Sequence, residues 1–228
     1  MLYGIDIYHG DVLVSDVHKS NEVECFEQIK NAGCAFVIHK ATQGIGVNDG
    51  LYAKRRKSAT AAGLLWGAYH FNTGDKSSAQ VQHFLDAVQP DKDTYMALDF
   101  EDNKVSEMNL AGAVEFLTLL DAELTKISGE PRFAKIYGGN RIKSQIVNAD
   151  ASTRAFLAKH GLWGCEYGPK FKMVDADNRP LPWSAYEIWQ FTGDGIGPTP
   201  HIWPGIYTKG IDINRFEGDI NALKAIWA

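Results

Sequence analysis

Asp99-Phe100-Glu101 is the part of this chain whose residue types and spacing say most about chemistry. On an extended strand, side chains two apart share a face, so Asp99 and Glu101 project together while Phe100 projects oppositely into packing. Their Cα atoms then lie about 6–7 Å apart, from the ~3.3 Å rise per residue. Like charges that close, near apolar Met96 and Leu98, push their proton affinities apart. One carboxyl can stay protonated as a general acid while the other stays ionised, the division of labour that glycoside hydrolysis needs. An exposed acidic strand end would give the same tripeptide, so it needs corroboration. Asp6 and Asp212, expected at the ends of adjacent strands, supply it.

The same four carboxylates could instead hold Mg²⁺ or Ca²⁺, since hard cations take oxygen ligands. Metal-dependent phosphoesterases usually add His or Asn ligands and basic phosphate clamps. His9, His39 and His70 fall at strand ends without ligand spacing, and such residues are more often hydrogen-bonding wall groups. No metal or other cofactor is expected. A nucleophile elbow G-x-S-x-G is absent, and Ser77-Ser78 falls at a helix start. Tyr8, Tyr69, Tyr137 and Trp189 fall at strand ends, where flat rings with polar tips can stack on sugars. Lys40 could be a solvated terminus, or could pair with Asp6 or Asp99 to keep one of them ionised.

These residues need elements that carry them to one place. Tyr3–Tyr8, Ala35–His39, Leu64–Phe71, Tyr95–Phe100 and Ala134–Tyr137 read as strands, each followed by a helical pattern. Asn21/Glu24 and Ser77/Gln80 have capping-box spacing, and Asp49 can cap the helix that Gly63 terminates. Leu110, Ala113, Val114, Leu117, Leu120, Leu124 and Ile127 mark a long amphipathic helix. Leu162–Glu166, Tyr186–Phe191 and Gly210–Ile213 also read as strands, with Gly/Pro-rich connections in place of long helices. A short helix near Asp219–Trp227 closes the chain. The alternation implies a parallel sheet, and about eight strands imply closure into a barrel of five βα units and three further strands. A doubly wound open sheet is the alternative, but the first βα turn carries no G-x-G-x-x-G. In barrels, functional groups cluster at the C-terminal ends of strands, where this chain repeatedly places polar and aromatic residues.

With 228 residues and no linker-like or low-complexity tract, residues 1–228 read as one catalytic domain. The net charge of -5 and the lack of a basic stripe beyond Lys54–Lys57 argue against nucleic acid as a partner. No stretch approaches the roughly 20 apolar residues of a membrane span. The beginning of the chain lacks a basic segment and an apolar run of signal length, so synthesis in the cytoplasm is expected. Cys25, Cys34 and Cys165 suggest neither a disulfide framework nor a zinc site and read as free thiols.

Taken together, the motifs resemble those of glycoside hydrolase family 25 lysozymes, the Chalaropsis-type N-acetylmuramidases. The matching residues are Tyr3-Gly-Ile-Asp6, Phe36-Val-Ile-His-Lys-Ala-Thr42, Ala62-Gly63, Gly67-Ala-Tyr-His-Phe71, Leu98-Asp-Phe-Glu101, Ile136-Tyr137, Leu162-Trp163, Ile188-Trp-Gln-Phe-Thr192 and Gly210-Ile-Asp-Ile-Asn214. They follow family order across nearly the whole chain. The resemblance implies a TIM-like (β/α)5(β)3 barrel, an α/β fold, that acts on peptidoglycan glycan strands. It further implies Glu101 as general acid and base, Asp99 as stabiliser of positive charge, and Asp6 and Asp212 as the remaining acidic floor. A monomer, released by lysis or associated with phage to act on the bacterial wall, is expected. Gln43, where the family usually has Glu, the Trp163-Gly-Cys-Glu-Tyr167 segment and the long stretch Gly168–Trp183 depart from the pattern. A chitinase-like glycosidase and a non-catalytic glycan-binding barrel are the competing readings.

Overall fold

The computed structural model describes residues 1–103 and 106–227. β1 (Leu2–Ile7), α1 (Val14–His18), α2 (Glu22–Asn31) and β2 (Cys34–Gln43) open the chain, and β3 (Val47–Asn48) folds back on β2 before α3 (Tyr52–Ala61). β4 (Leu65–Phe71), α4 (Ser77–Val88), β5 (Tyr95–Asp99), α5 (Leu110–Ser128) and β6 (Lys135–Gly138) continue the alternation. α6 (Asn140–Gln145) and α7 (Ala151–Leu157) precede β7 (Gly161–Cys165). β8 (Ile188–Thr192), β9 (Asp212–Phe216) and α8 (Ile220–Trp227) complete it.

Eight strands close into a barrel in the order β1, β2, β4, β5, β6, β7, β8, β9 and back to β1. From β1 to β8 every neighbouring pair in this ring is parallel. β9 is antiparallel to both β8 and β1, which departs from the all-parallel expectation. A parallel crossover usually needs a helix to carry the chain back along the barrel. The connection Gly193–Ile211 has none and instead turns over at Gly193 and Ile196.

Strand alternation divides the apolar residues into two cores. Phe36, Ile38, Tyr95, Ala97, Trp163, Ile188 and Phe216 fill the barrel. Ile5, Val37, Ala68, Met96, Leu98, Ile136, Leu162 and Ile213 pack outward with α-helical Phe26, Phe84, Phe116, Leu117 and Leu120. Gly4 belongs to the inner set, because a Cβ there would sit 2.3 Å from the Phe36 ring. α8 plugs the barrel bottom: Trp227 lies 4.6 Å from the Tyr95 ring and 5.3 Å from that of Phe36, and its Nε1 donates to the Trp66 carbonyl.

Local signals fared unevenly. Asn21 caps α2 as expected, accepting from the Val23 N–H. Ser77 is the first helical residue of α4, and Lys76 is its N-cap. Gln80 instead binds His70 and the Thr73 and Asp75 backbone, fixing the turn after β4. Asp49 accepts from the N–H groups of Leu51 and His9 and so ties the start of α3 to the end of β1. The short α1 was not legible from periodicity; Asp16 reaches back to the Leu13 N–H to hold it.

The bottom plug carries a prediction. Trp227→Ala should cost about 3–5 kcal/mol, the range for a large aromatic truncated in a core. Urea unfolding followed by fluorescence would measure this, and a loss below about 1 kcal/mol would mean that α8 does not seal the barrel.

Candidate active site

Inward-facing residues above the apolar floor change character. Asp6, Tyr8, Lys40, Tyr69, Phe71, Asp99, Glu101, Tyr137, Trp163, Gln190 and Asp212 line one open groove of roughly 180 Å³ at the C-terminal rim of the parallel strands. Asp99 is the last residue of β5, and Glu101 lies just beyond it. Phe100 between them is fully buried in the outer core, as alternation requires. Asp212 joins the rim because β9 is reversed: its first residue pairs with Asp6 near the end of β1. Gly193 lets the next loop approach, since a Cβ there would lie 2.1 Å from Asp212 Oδ1.

The groove combines carboxyl groups with poor hydration. Asp6 is pushed up to about 7, first by burial and further by the charges of Asp11 and Glu101, against opposing hydrogen bonds from Asn214 and Gln190. Asp212 is pushed up to about 9 by burial and then by Asp6 and Asp194. Asp99 is raised well above the carboxylate range by burial and by Glu101, with Lys40 opposing. Its Oδ1 is buried with no hydrogen-bond partner among the described residues. Burial also raises Glu101, against an opposing contribution from the neighbouring Tyr137 hydroxyl, with Asp194 and Asp102 adding to the rise. Four such groups cannot all be charged at neutral pH.

Lys40 makes no ion pair with Asp6 or Asp99; its Nζ donates to Gln43 Oε1 at 2.7 Å and lies 4.8 Å from the Phe71 ring centre. Its charge still acts on Asp99 through space. Tyr8 is at the exposed edge, T-stacked on His9. Tyr69 and Tyr137 both touch Trp163, at 6.1 and 4.4 Å between ring centres.

Trp189 is a correction. It follows inward-facing Ile188 and precedes Gln190, so alternation turns it out of the barrel. There it is 1% exposed, donates to the Glu166 carbonyl and carries Arg215 over its ring. His39 and His70 also face outward, are fully buried and are lowered to about 4 by burial. Trp183 is likewise a core residue, bonded to the His160 carbonyl. Among the described residues, no group of three or more His, Cys, Asp or Glu side chains is placed to hold a metal ion. No helix among them is long and apolar enough to cross a membrane.

Sequence reasoning placed Gln190 and Asn214 at strand ends but gave neither a role beside Asp6. Asn214 Nδ2 donates to Asp6 Oδ1 at 2.7 Å, and Gln190 Nε2 donates to both Asp6 oxygens at 3.0 and 3.2 Å. Trp163 Nε1 donates to Asn214 Oδ1, and the Tyr137 hydroxyl to Gln190 Oε1, each at 2.7 Å. Alternation from Asp212 puts Asn214 on the same strand face. Asp194, an exposed residue at φ 51°, was missed because nothing in sequence brings its loop over the groove.

An acidic, aromatic-walled groove at the rim of a (β/α)5(β)3 barrel is the architecture of a glycoside hydrolase. The chain belongs to glycosyl hydrolases family 25, whose sequence model matches residues 6–199. It is 24% identical to "Lysozyme M1" of Streptomyces globisporus over 98% of this chain and 70% of that protein. The crystal structure of the bacterial lysozyme from Streptomyces coelicolor superposes with a TM-score of 0.75 at 21% identity, covering 99% of this chain and 96% of that one. A muramidase from Acremonium alcalophilum superposes at 0.73 with 23% identity, over 100% and 99% of the two chains.

Because Asp212 has a raised proton affinity in the folded state, its contribution favours folding at low pH. That contribution is lost as pH rises from the unfolded value near 4 toward about 9. Asp212→Asn should therefore be more stable than the parent at pH 8 by at least about 1 kcal/mol, the scale of a tenfold change in proton affinity. The advantage should vanish near pH 4. Denaturant unfolding at the two pH values checks this, and equal differences at both would contradict the burial of charge described here.

Proposed function

We propose that residues 1–228 form a peptidoglycan hydrolase, an N-acetylmuramidase that cuts the β-1,4 bond between N-acetylmuramic acid and N-acetylglucosamine. The observation that carries this reading is the juxtaposition of Glu101 and Asp99 in a groove where burial keeps carboxyl groups protonated. Family membership and the lysozyme and muramidase names of its relatives support the substrate class.

Glu101 is the general acid. It passes its proton to the glycosidic oxygen as the bond from that oxygen to the muramic acid C1 breaks. The positive charge at C1 is shared with the substrate's own acetamido group, and Asp99 stabilises it from the other side. Asp99, neutral in the empty groove, gives up its proton to solvent before the bond breaks, and its carboxylate is favoured as positive charge builds beside it. Glu101, now ionised, then takes a proton from the water that attacks C1, which restores the acid form. Asp6 and Asp212 complete the acidic floor under the sugar, while Tyr8, Tyr69 and Tyr137 with Lys40 form walls for rings and hydroxyls. The enzyme acts as a monomer on the bacterial wall, which it reaches by lysis or with phage particles.

Mass spectrometry of products from purified peptidoglycan tests the reaction. Fragments ending in reducing muramic acid are expected; preferential cleavage of chitin oligomers would mark a chitinase-like enzyme, and binding without turnover a glycan-binding barrel. Glu101→Gln should lower the rate at least ~100-fold, the low end of general-acid contributions. Near-normal turnover by that variant would remove Glu101 from the mechanism.

A further inference from the structure

β5 ends at Asp99 and α5 begins at Leu110, so Glu101 stands between them, outside any strand or helix. Asp99 is held by its strand register against Phe71 and Tyr137. Glu101 must be held by something else. Two buried side chains, one from each side of β5, meet its segment. Asn72 directly follows β4 and is 0% exposed; Arg141 lies in α6, which follows β6, and is 8% exposed.

Asn72 ties the two ends of this segment to each other. Its Nδ2 donates to the Asp99 and Glu101 carbonyls, each at 2.9 Å, and its Oδ1 accepts from the Met108 N–H at 3.3 Å. A primary amide has two N–H donors on one nitrogen and one carbonyl acceptor. These partners allow a single orientation, because a turned amide would set its oxygen against two carbonyl oxygens. One nitrogen therefore sets the distance between the Asp99 and Glu101 carbonyls. Arg141 takes the other side. Its guanidinium donates to the Asp102 carboxylate at 2.5 Å, to the Glu107 carboxylate at 3.1 Å and to the Met108 carbonyl, and lies 5.1 Å from the Phe100 ring centre. Both side chains converge on buried Met108, whose N–H goes to Asn72 and whose carbonyl goes to Arg141.

We propose that Asn72 and Arg141 are positioning residues for Glu101: they clamp its segment from both sides of β5 and fix the acid at a set offset from strand-held Asp99. The clamp's meaning for catalysis rests on the acid role proposed above for Glu101. A purely structural staple is the alternative. It would change how much enzyme folds, but not the turnover of each folded molecule.

Steady-state kinetics on a soluble tetrasaccharide of alternating N-acetylglucosamine and N-acetylmuramic acid separates the two. Asn72→Ala releases the Glu101 carbonyl and should lower kcat at least about tenfold per folded molecule, inside the ~100-fold that a misplacement of about 1 Å can cost. KM should stay within about twofold of the parent, the signature of an interaction that matters in the transition state. Because Asn72 acts through Glu101, the same substitution in a Glu101→Gln background should cost no more than about twofold. An unchanged kcat in Asn72→Ala, or the full loss repeated in the Glu101→Gln background, would overturn the proposal. If Asn72→Ala does not fold, Arg141→Lys decides. It keeps the charge but cannot fork among Asp102, Glu107 and Met108, and should lower kcat at least about threefold at unchanged KM; a parent-like kcat would overturn the clamp. Glu101→Gln alone tests the underlying reading. Near-normal turnover there removes the acid, whereas a large loss there beside a parent-like Asn72→Ala removes the clamp and leaves the acid in place.

Discussion

Burial of carboxyl groups out of water, sharpened by their mutual repulsion, is the constraint on which this structure turns. Asp6, Asp99, Glu101 and Asp212 converge on one groove whose floor is aromatic and aliphatic. Water would screen four such charges; the top of a packed barrel does not. The cluster therefore keeps protons that isolated carboxyls would lose, and a reserve of protons beside a sugar-sized groove is what acid catalysis requires. Lys40 tempers the effect from a distance, and its direct partner is the neutral Gln43. Among the described residues no carboxylate pairs with Lys40, and its charge acts on Asp99 through space.

The barrel exists to hold that repulsion in place. Closure fixes which residues face inward, and the plug of α8 together with the Phe36, Tyr95 and Phe216 layer gives the groove a dry floor. The reversal of β9 is as important as closure. Run parallel, the strand would carry Asp212 to the opposite end, and Asn214 could not reach Asp6. The cost of gathering the acids is lowered where the structure can donate to them: Asp6, with Asn214 and Gln190 on its oxygens, stays lower than Asp212.

Much of this was readable beforehand. The D-x-E spacing and two further aspartates named the acidic groove, and the strand-helix alternation with Gly/Pro-rich final connections named the barrel. Tyr8, Lys40, Tyr69 and Tyr137 do line the groove. Trp189 does not, because a one-residue difference in phase decides which barrel face a side chain takes, and the strand boundary was not known that finely. The antiparallel β9 was hidden for a related reason: five strand residues read the same in either direction. The Trp163–Asn214–Asp6–Gln190–Tyr137 chain was hidden because its members come from five strands and meet only after closure.

The most direct test of the shared-proton account is a count of protonated carboxyl groups by infrared difference spectroscopy. Spectra of the free enzyme would be compared with those of Asp6→Asn, Asp99→Asn, Glu101→Gln and Asp212→Asn between pH 4 and pH 9. At pH 7 at least two groups of the cluster, Asp99 and Asp212 among them, should still carry protons. A cluster fully ionised by pH 5 would mean that water reaches these groups freely, and the account would be wrong.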